Sequence, residues 1–495
     1  MTRYPCSWLW SCVVVMFRCL ITYIYSEPSM LRTILIILLF VSALPFHARV
    51  TKVTKIAYPG GKCLIYRIGL KDKQHSPYTL QNPQQFLSPR SIARRQAQHL
   101  ALDSTDLPVT PAYVQAIRDK GIEVIGMSKW NNTVLVRVHT QRALRKLDGL
   151  PFIRYRMKVM TAPDSIDERR RTNYMKSLNE WSETYNNAYG ATEKQIESLH
   201  GDDLHNVGFK GGGKMIAVFD GGFMNADRIP ALHNIKLGGL RDFVYPPSND
   251  IFQEMDHGTM VLSAMAVNEP GFYIGTAPEA TYVLVRCEDE RTENLVEEDY
   301  WAEAAEYADS LGVDIVNSSL GYHDFDDKSM SHLYIQQDGE QTLISHTASM
   351  MAGKGIVVVN SAGNDGMGTW KKINFPADAK DILTVGAVNM NGVNAPFSSI
   401  GPTADGRVKP DVMAFGSPVA VLSGRGSIIS DMGTSFSSPL IAGLVACLWQ
   451  ALPDKTAKEI IDLVRSSGNR SLNPDNIYGY GIPDFWLAYQ KGRQK

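Results

Sequence analysis

The sequence predicts a three-layer α/β/α fold with a mainly parallel sheet, preceded by a small α+β domain. From Tyr189 onward, short strands alternate with helices, and the strands are apolar on both faces. Such strands belong to parallel sheets that helices cover on both sides. The predicted strands are 215–219, 281–285, 313–317, 356–360 and 382–388, and the helices between them lie near 259–267, 296–311 and 341–353. Residues 189–495 are therefore expected to form the larger domain.

Residues 49–160 have a different pattern. Strands are predicted at 63–69, 122–127, 133–138 and 152–160, and helices at 89–100, 111–120 and 141–147. Without the helix at 89–100, this is a β-α-β-β-α-β order. The segment contains no cluster of catalytic residue types. It is expected to be a separate small domain that serves the larger one.

The first 48 residues are apolar. Residues 8–25 carry Arg18 as their one charge, and the stretch after Met30 has a basic start, a short apolar core and small residues, as a secretory signal does. Two interpretations stay open. If translation starts at Met1, residues 7–25 could anchor the chain in a membrane. Alternatively, translation starts at Met30, and the chain begins with the signal. Either one predicts export to a secreted, periplasmic or cell-surface location.

Residues 161–188 are polar and lack apolar periodicity, so they are predicted to be a surface linker. The charged run at 167–171 is either a solvated stretch or a processing site. Three cysteines lie beyond the apolar N-terminus: Cys63, Cys287 and Cys447. Their spacing favours neither a disulfide framework nor a metal site.

The overall charge excludes some classes of partner. The chain has 50 Lys and Arg residues against 51 Asp and Glu, a net charge of −1. A nucleic-acid partner is therefore not expected.

Four polar residues lie at the ends of predicted strands or at the starts of helices, where active-site residues of parallel sheets usually gather. Asp220 ends a buried strand, His257 begins the next helix, Asn364 follows another buried strand, and Ser435 begins an apolar helix. Each has an ordinary structural role available, as a turn or capping residue. Together they supply a nucleophile, a base and a carboxylate that orients the base, with an amide donor nearby.

Four segments, VFDGG at 218–222, HGT at 257–259, SAGN at 361–364 and GTSFSSP at 433–439, resemble the signatures of the subtilisin-like serine proteases. The stretch FSSIGPTADGRVKPD at 397–411 is also typical of that family, and the resemblance runs from about residue 189 to 489. This sequence departs from the family pattern at Gly221, where the family usually has Thr or Ser, and at Ser437, where it usually has Ala.

The resemblance implies a secreted serine endopeptidase with a subtilisin-like fold and a ferredoxin-like propeptide at residues 49–160. The triad would be Asp220, His257 and Ser435, with Asn364 in the oxyanion hole. The substrate-binding residues implied are Ser319, Leu320, Gly321, Ser361, Ala362 and Gly363. Partners would be protein or peptide substrates and the propeptide as an intramolecular inhibitor, whose last strand would pair beside residues 319–321.

Other features of the sequence allow further interpretations. GFKGGGK at 208–214 fits part of a phosphate-binding loop, but Met215 stands where Ser or Thr is needed. A catalytically inactive subtilase fold that binds peptides is the alternative to an active protease. No cofactor is expected to be required. A structural calcium ion is allowed for but not located, since an acidic run such as Glu288-Asp289-Glu290 is equally well explained as a solvated loop.

Overall fold

The computed structural model describes residues 55–167, 185–246 and 250–494. The predicted signal and anchor segments, and most of the predicted linker, lie outside the described residues. Within the described part, no helix is both long and apolar enough to cross a membrane.

A seven-stranded parallel sheet forms the centre of the larger domain. Its strands in chain order are β7 (Met215–Asp220), β8 (Lys236–Asp242), β11 (Thr281–Arg286), β12 (Ile315–Ser318), β13 (Val357–Ser361), β14 (Leu383–Asn389) and β15 (Val412–Ser417). In space they follow the order β15-β14-β13-β12-β7-β11-β8. The parallel sheet that the apolar strands predicted is confirmed, and β7 lies near its middle.

Helices cover both faces of this sheet. In chain order they are α3 (Glu193–Glu197), α4 (Gly201–Asn206), α5 (His257–Ala266), α6 (Val296–Leu311), α7 (Leu343–Gly353), α8 (Thr434–Ala451), α9 (Ala457–Ser467) and α10 (Phe485–Arg493). Helix α8 packs with α5 on one face, and α6 packs with α7 on the other. Residues 434–449 are all buried, as expected for a helix that is apolar around its whole circumference.

The small domain is a four-stranded antiparallel sheet with the order β3-β4-β2-β5. Its elements are β2 (Cys63–Leu70), α1 (Pro89–Ala97), α2 (Pro111–Asp119), β3 (Glu123–Ser128), β4 (Thr133–Val138), a 3-10 helix (Gln141–Leu147) and β5 (Ile153–Ala162). This reproduces the predicted element order, with α1 as the additional helix. The sheet packs against α6.

Buried charges hold the two domains together. Arg67 donates two hydrogen bonds of 2.7 Å to Asp299 of α6. The Glu306 carboxylate accepts from the backbone N–H groups of Lys129 (2.8 Å) and Trp130 (2.9 Å). A buried charge is tolerated only when it is paired. The carboxylates of Asp299 and Glu306 therefore need their donors from the small domain.

The structure corrects the start of the predicted linker. Strand β5 extends to Ala162, and β6 (Ser165–Asp167) pairs antiparallel with β1 (Lys55–Ala57). The last strand of the small domain pairs with β2, and up to Asp167 the described chain forms no pairing with residues 319–321. Strand β5 itself therefore does not form the predicted substrate-like pairing, because the chain turns back onto its own first strand; residues 168–184, which follow β6, lie outside the described residues.

The remaining strands form short hairpins: β9 (Asn268–Glu269) with β10 (Tyr273–Ile274), and β16 (Val419–Leu422) with β17 (Ile428–Asp431). Sequence patterns also missed β8 and β15. Strand β8 contains Gly238 and Gly239, lies at the edge of the sheet and is largely exposed, so it lacks the apolar run that identifies a central strand.

Candidate active site

The carboxyl edge of the central sheet gathers the predicted site residues. Asp220 is the last residue of β7, Ser319 follows β12, and Ser361 ends β13. Because β7, β12 and β13 are parallel neighbours, their ends meet at one edge. His257 begins α5, which packs against β7 at the same edge.

Asp220 and His257 form a closely coupled pair. The Nδ1 atom of His257 lies 2.9 Å and 3.0 Å from the two carboxylate oxygens of Asp220, which is fully buried. The backbone N–H of Gly221 donates to the same carboxylate at 2.8 Å. A Cβ atom on Gly258 would lie 2.3 Å from the Gly222 carbonyl oxygen, so only glycine allows this approach. The carboxylate therefore fixes Nδ1 as the donor and leaves Nε2 available.

The surroundings of His257 favour its charged form. Burial of the ring lowers the pKa of His257, but the Asp220 carboxylate raises it, and Glu290 and Glu288 raise it further. The net direction is a pKa above the ordinary histidine value. About a quarter of the side chain (27%) is exposed, so the ring also reaches the cavity in front of it.

Ser435 is held by Ser319. Residue 439 is proline, so the Ser435 carbonyl lacks its usual helical N–H partner. The Ser319 hydroxyl donates to that carbonyl at 2.8 Å, and the Ser435 hydroxyl donates to the Ser319 carbonyl at 3.3 Å. The helix begins at Thr434, so Pro439 lies in the second turn of α8.

Thr434 orients the amide of Asn364. The Asn364 Oδ1 atom accepts from both the backbone N–H and the hydroxyl of Thr434, each at 3.0 Å. Gly363, in the left-handed region at φ +106°, donates its N–H to the Thr434 hydroxyl at 3.2 Å. With its oxygen occupied, the Asn364 side chain presents its N–H groups. The Ser435 N–H lies in the first turn of α8, where backbone donors have no helical partner.

A cavity of about 290 Å³ joins these groups. The predicted site residues that line it are His257, Ser319, Leu320, Gly321, Ser361, Gly363, Asn364 and Ser435. Asp220 lies behind His257. Ala362 does not line the cavity: it is fully buried, and its N–H and C=O are bonded to Val385 and Asn374.

Sequence reasoning missed other cavity residues: Glu288, Glu290, Asp365, Asn374 and Thr434. Thr434 lies inside the motif at 433–439, and Asp365 directly follows the motif at 361–364. Their positions could therefore have identified both as neighbours of the site. Glu288 and Glu290 reach the cavity through a loop after β11. No local pattern indicates that approach.

The phosphate-loop interpretation is wrong. The N–H groups of Gly211 and Gly212 donate to the side-chain oxygen of Gln450, at 2.8 Å and 3.0 Å. The Lys214 ammonium group lies 4.6 Å from the centre of the Trp449 ring. The backbone donors that would bind a phosphate are therefore already used within the protein.

Comparison with known proteins agrees with this fold. Residues 211–481 match the model of the subtilase family, peptidase S8, and residues 65–177 match the peptidase S8 propeptide domain of Bacteroidota. The fold and the cavity thus define a subtilisin-like peptidase class with a propeptide. The chain belongs to the subtilase family.

Individual relatives are distant. The chain is 28% identical over 312 residues to the membrane-bound transcription factor site-1 protease of Homo sapiens, covering 61% of this chain and 27% of that protein. It is 27% identical over 298 residues to subtilisin E of Bacillus subtilis (strain 168), covering 60% and 70%. The MycP3 protease from the type VII (ESX-3) secretion system shares the fold, with a TM-score of 0.50 and 21% identity over 64% of this chain and 94% of that chain.

Proposed function

We propose that this protein is an exported serine endopeptidase that cleaves peptide bonds through an acyl-enzyme intermediate. The observation that carries the proposal is the pairing of Asp220 with His257 at the wall of a cavity that also contains Ser435 and Asn364. Serine is a weak nucleophile and needs a neighbouring base, and a carboxylate on Nδ1 prepares histidine for that role.

In the proposed reaction, His257 Nε2 accepts the Ser435 proton as Oγ attacks the scissile carbonyl carbon. Negative charge develops on the carbonyl oxygen, where the Asn364 amide and the Ser435 N–H donate to it. His257 then gives the proton to the departing amine. Water, activated by the same imidazole, releases the acyl group and restores Ser435.

Substrate would lie along the cavity as an extended strand. Residues 319–321 continue the chain just past β12, and Ser361 and Gly363 form the opposite wall. Backbone hydrogen bonds to an exposed strand edge give affinity without demanding a particular sequence. Ala362 would not bind substrate directly, since its backbone N–H and C=O are already bonded within the protein. It would only connect Ser361 to Gly363.

The small domain is proposed to inhibit the peptidase and to assist its folding. Its support is the propeptide match and the interface with α6, where Asp299 and Glu306 receive donors from the small domain. A sheet assembled from distant strands folds slowly, and a docking surface for α6 would help to assemble it. Export is proposed on the signal-like sequence after Met30 and on the Bacteroidota propeptide match.

The experiment is hydrolysis of a peptide substrate by the wild type and by the Ser435→Ala variant. Ser435→Ala is expected to abolish nearly all turnover and leave the fold intact, since the nucleophile has no replacement. A variant that retains a tenth of the wild-type rate would refute the proposed nucleophile.

A further inference from the structure

Three glutamates converge beside the candidate active site. Glu288 and Glu293 belong to the loop after β11, and Glu297 lies in the first turn of α6. One carboxylate oxygen from each lies within 4.8 Å of the others. Of the acidic run singled out in the sequence, Glu288 joins this cluster. Asp289 instead pairs with Arg291 and accepts from the Tyr58 hydroxyl at 2.6 Å.

Glu297 is buried without a partner. Its side chain has 0% exposure, and neither carboxylate oxygen has a hydrogen-bond partner within the described ranges. Burial raises the pKa of Glu297 well above its usual range, and Glu293 and Glu288 raise it further; the backbone N–H of Asn294 lowers it only in part and forms no hydrogen bond with the carboxylate. Burying a carboxylate without a hydrogen-bond donor raises the free energy of the folded state. A cation or a bound proton at this site would lower it.

Tyr322 shows the same deficit. The residue is 1% exposed, and its hydroxyl has no hydrogen-bond partner among the residues that the structure describes. Burial raises the pKa of Tyr322, and the charges of Glu288 and Glu297 raise it further. Tyr322, in the segment after β12, is thus close enough to the cluster for these carboxylates to act on its hydroxyl.

The neighbouring arginines are engaged elsewhere. Arg286 pairs with Asp242 at 3.1 Å, and Arg291 pairs with Asp289. The imidazole rings of His257 and His323 lower the pKa of Glu288 and of Glu293, respectively, but burial and the repulsion between the glutamates outweigh them, so the pKa values of all three glutamates remain raised. The cluster therefore keeps a deficit of positive charge.

We propose that Glu288, Glu293 and Glu297 bind a hard divalent cation, and that calcium is the ion that fits. The three side chains offer up to six carboxylate oxygens and neither nitrogen nor sulfur, which is the donor set that calcium prefers. Calcium also accepts irregular geometry, whereas magnesium demands a near-ideal octahedron.

The ion would connect the site to the rest of the fold. Glu288 lines the active-site cavity, whereas Glu297 is fixed in a long helix that packs against the small domain. A cation between them would fix the loop that forms one wall of the cavity. This inference does not depend on the proposed peptidase activity, because ion binding can be measured in a protein without its nucleophile.

Calcium binding to the full chain carrying Ser435→Ala, stripped with a chelator, tests the proposal. Calorimetry gives the stoichiometry and affinity, and thermal unfolding gives the change in Tm on adding calcium. Glu297→Gln should remove one equivalent of bound calcium and the corresponding rise in Tm. In the absence of calcium it should unfold at the same or a higher temperature, because a neutral amide relieves the repulsion.

Glu303→Gln is the matched control. Glu303 lies on the same helix, and its pKa is also raised by burial, but among the described residues it belongs to no cluster of potential metal ligands. It should bind calcium as the parent does. If Glu297→Gln does not fold, Glu293→Gln, at a less buried position, should reduce the affinity at least 10-fold. The proposal is overturned if the parent binds no calcium, or if the glutamine variant at 297 or 293 binds as many equivalents with unchanged affinity.

Discussion

Ser319 and Ser435 exchange two hydrogen bonds across the active-site cavity. The Ser319 hydroxyl donates to the Ser435 carbonyl at 2.8 Å, and the Ser435 hydroxyl donates to the Ser319 carbonyl at 3.3 Å. The first bond exists because Pro439 cannot supply the usual helical donor. The start of α8 is thus tied to the end of β12, and the proposed nucleophile is fixed to the proposed substrate-binding segment.

Ser319→Ala should lower kcat more than it raises KM, because the variant loosens the position of the Ser435 backbone. It should also reduce the free energy of unfolding by about 1 kcal/mol, the usual contribution of one hydrogen bond. Steady-state kinetics and thermal unfolding measure the two effects. Ser467→Ala is the control, since the Ser467 hydroxyl donates to a helical carbonyl at 2.9 Å but lies in α9. Equal losses of kcat in both variants would show that Ser319 has no special role.

Asn364→Ala should reduce kcat by about 10²–10³, the range for losing one oxyanion-hole donor in subtilisin, with little change in KM. The reason is that the amide meets charge that develops only in the transition state. Asn374→Ala is the control because Asn374 lines the same cavity but donates to Asp365 at 2.9 Å. A change confined to KM would assign Asn364 to substrate binding instead.

The pH profile should reflect the raised pKa of His257. The base must be neutral, so the rate should increase through a midpoint above the ordinary histidine value of about 6.5. Carboxylates beside the ring stabilise its protonated form, so Glu290→Gln should move the midpoint to lower pH. Glu340→Gln, which changes an exposed acid paired with Lys380, should not move it. An unchanged midpoint in Glu290→Gln, or a flat wild-type profile between pH 5 and 9, would contradict this account.

Ser437→Ala should stabilise the protein. The Ser437 hydroxyl is fully buried and has no hydrogen-bond partner in the described part of the chain, and such a group costs about 1–3 kcal/mol. The neighbouring Ser438→Ala should destabilise, because the Ser438 hydroxyl donates to Asn317 at 2.8 Å. Thermal unfolding of both variants in the Ser435→Ala background measures the contrast. A lower Tm for Ser437→Ala would show that its hydroxyl is satisfied.

The small domain should inhibit the mature peptidase when added as a separate fragment of residues 55–167, and should increase the refolding yield of residues 185–495. Arg67→Met should weaken inhibition by about 100-fold or more, because it leaves Asp299 buried and unpaired at a cost of about 3–5 kcal/mol. Arg118→Ala, at an exposed position, should inhibit as the parent fragment does. Unaided refolding together with no inhibition would identify a permanent accessory domain.

The local sequence pattern predicted those features of the fold and site that depend on residues close together in the chain. Asp220 and Asn364 could be predicted as candidate site residues because the first ends a buried strand and the second follows one, and the sheet order brings such strand ends together. The exchange between Ser319 and Ser435 could not be predicted, because it joins residues 116 positions apart. The same is true of Glu290 beside His257. Strand β6 was missed because its partner, β1, lies more than 100 residues earlier.

Reaction of the wild type with a fluorophosphonate tests the central claim most directly, because this reagent labels a serine hydroxyl only when a base activates it. After release of the small domain, mass spectrometry should locate one adduct on Ser435. His257→Ala should prevent labelling, and Ser435→Ala should leave no adduct. An unlabelled wild type, or an adduct on another serine, would contradict the proposed activity and favour a subtilase fold that only binds peptides.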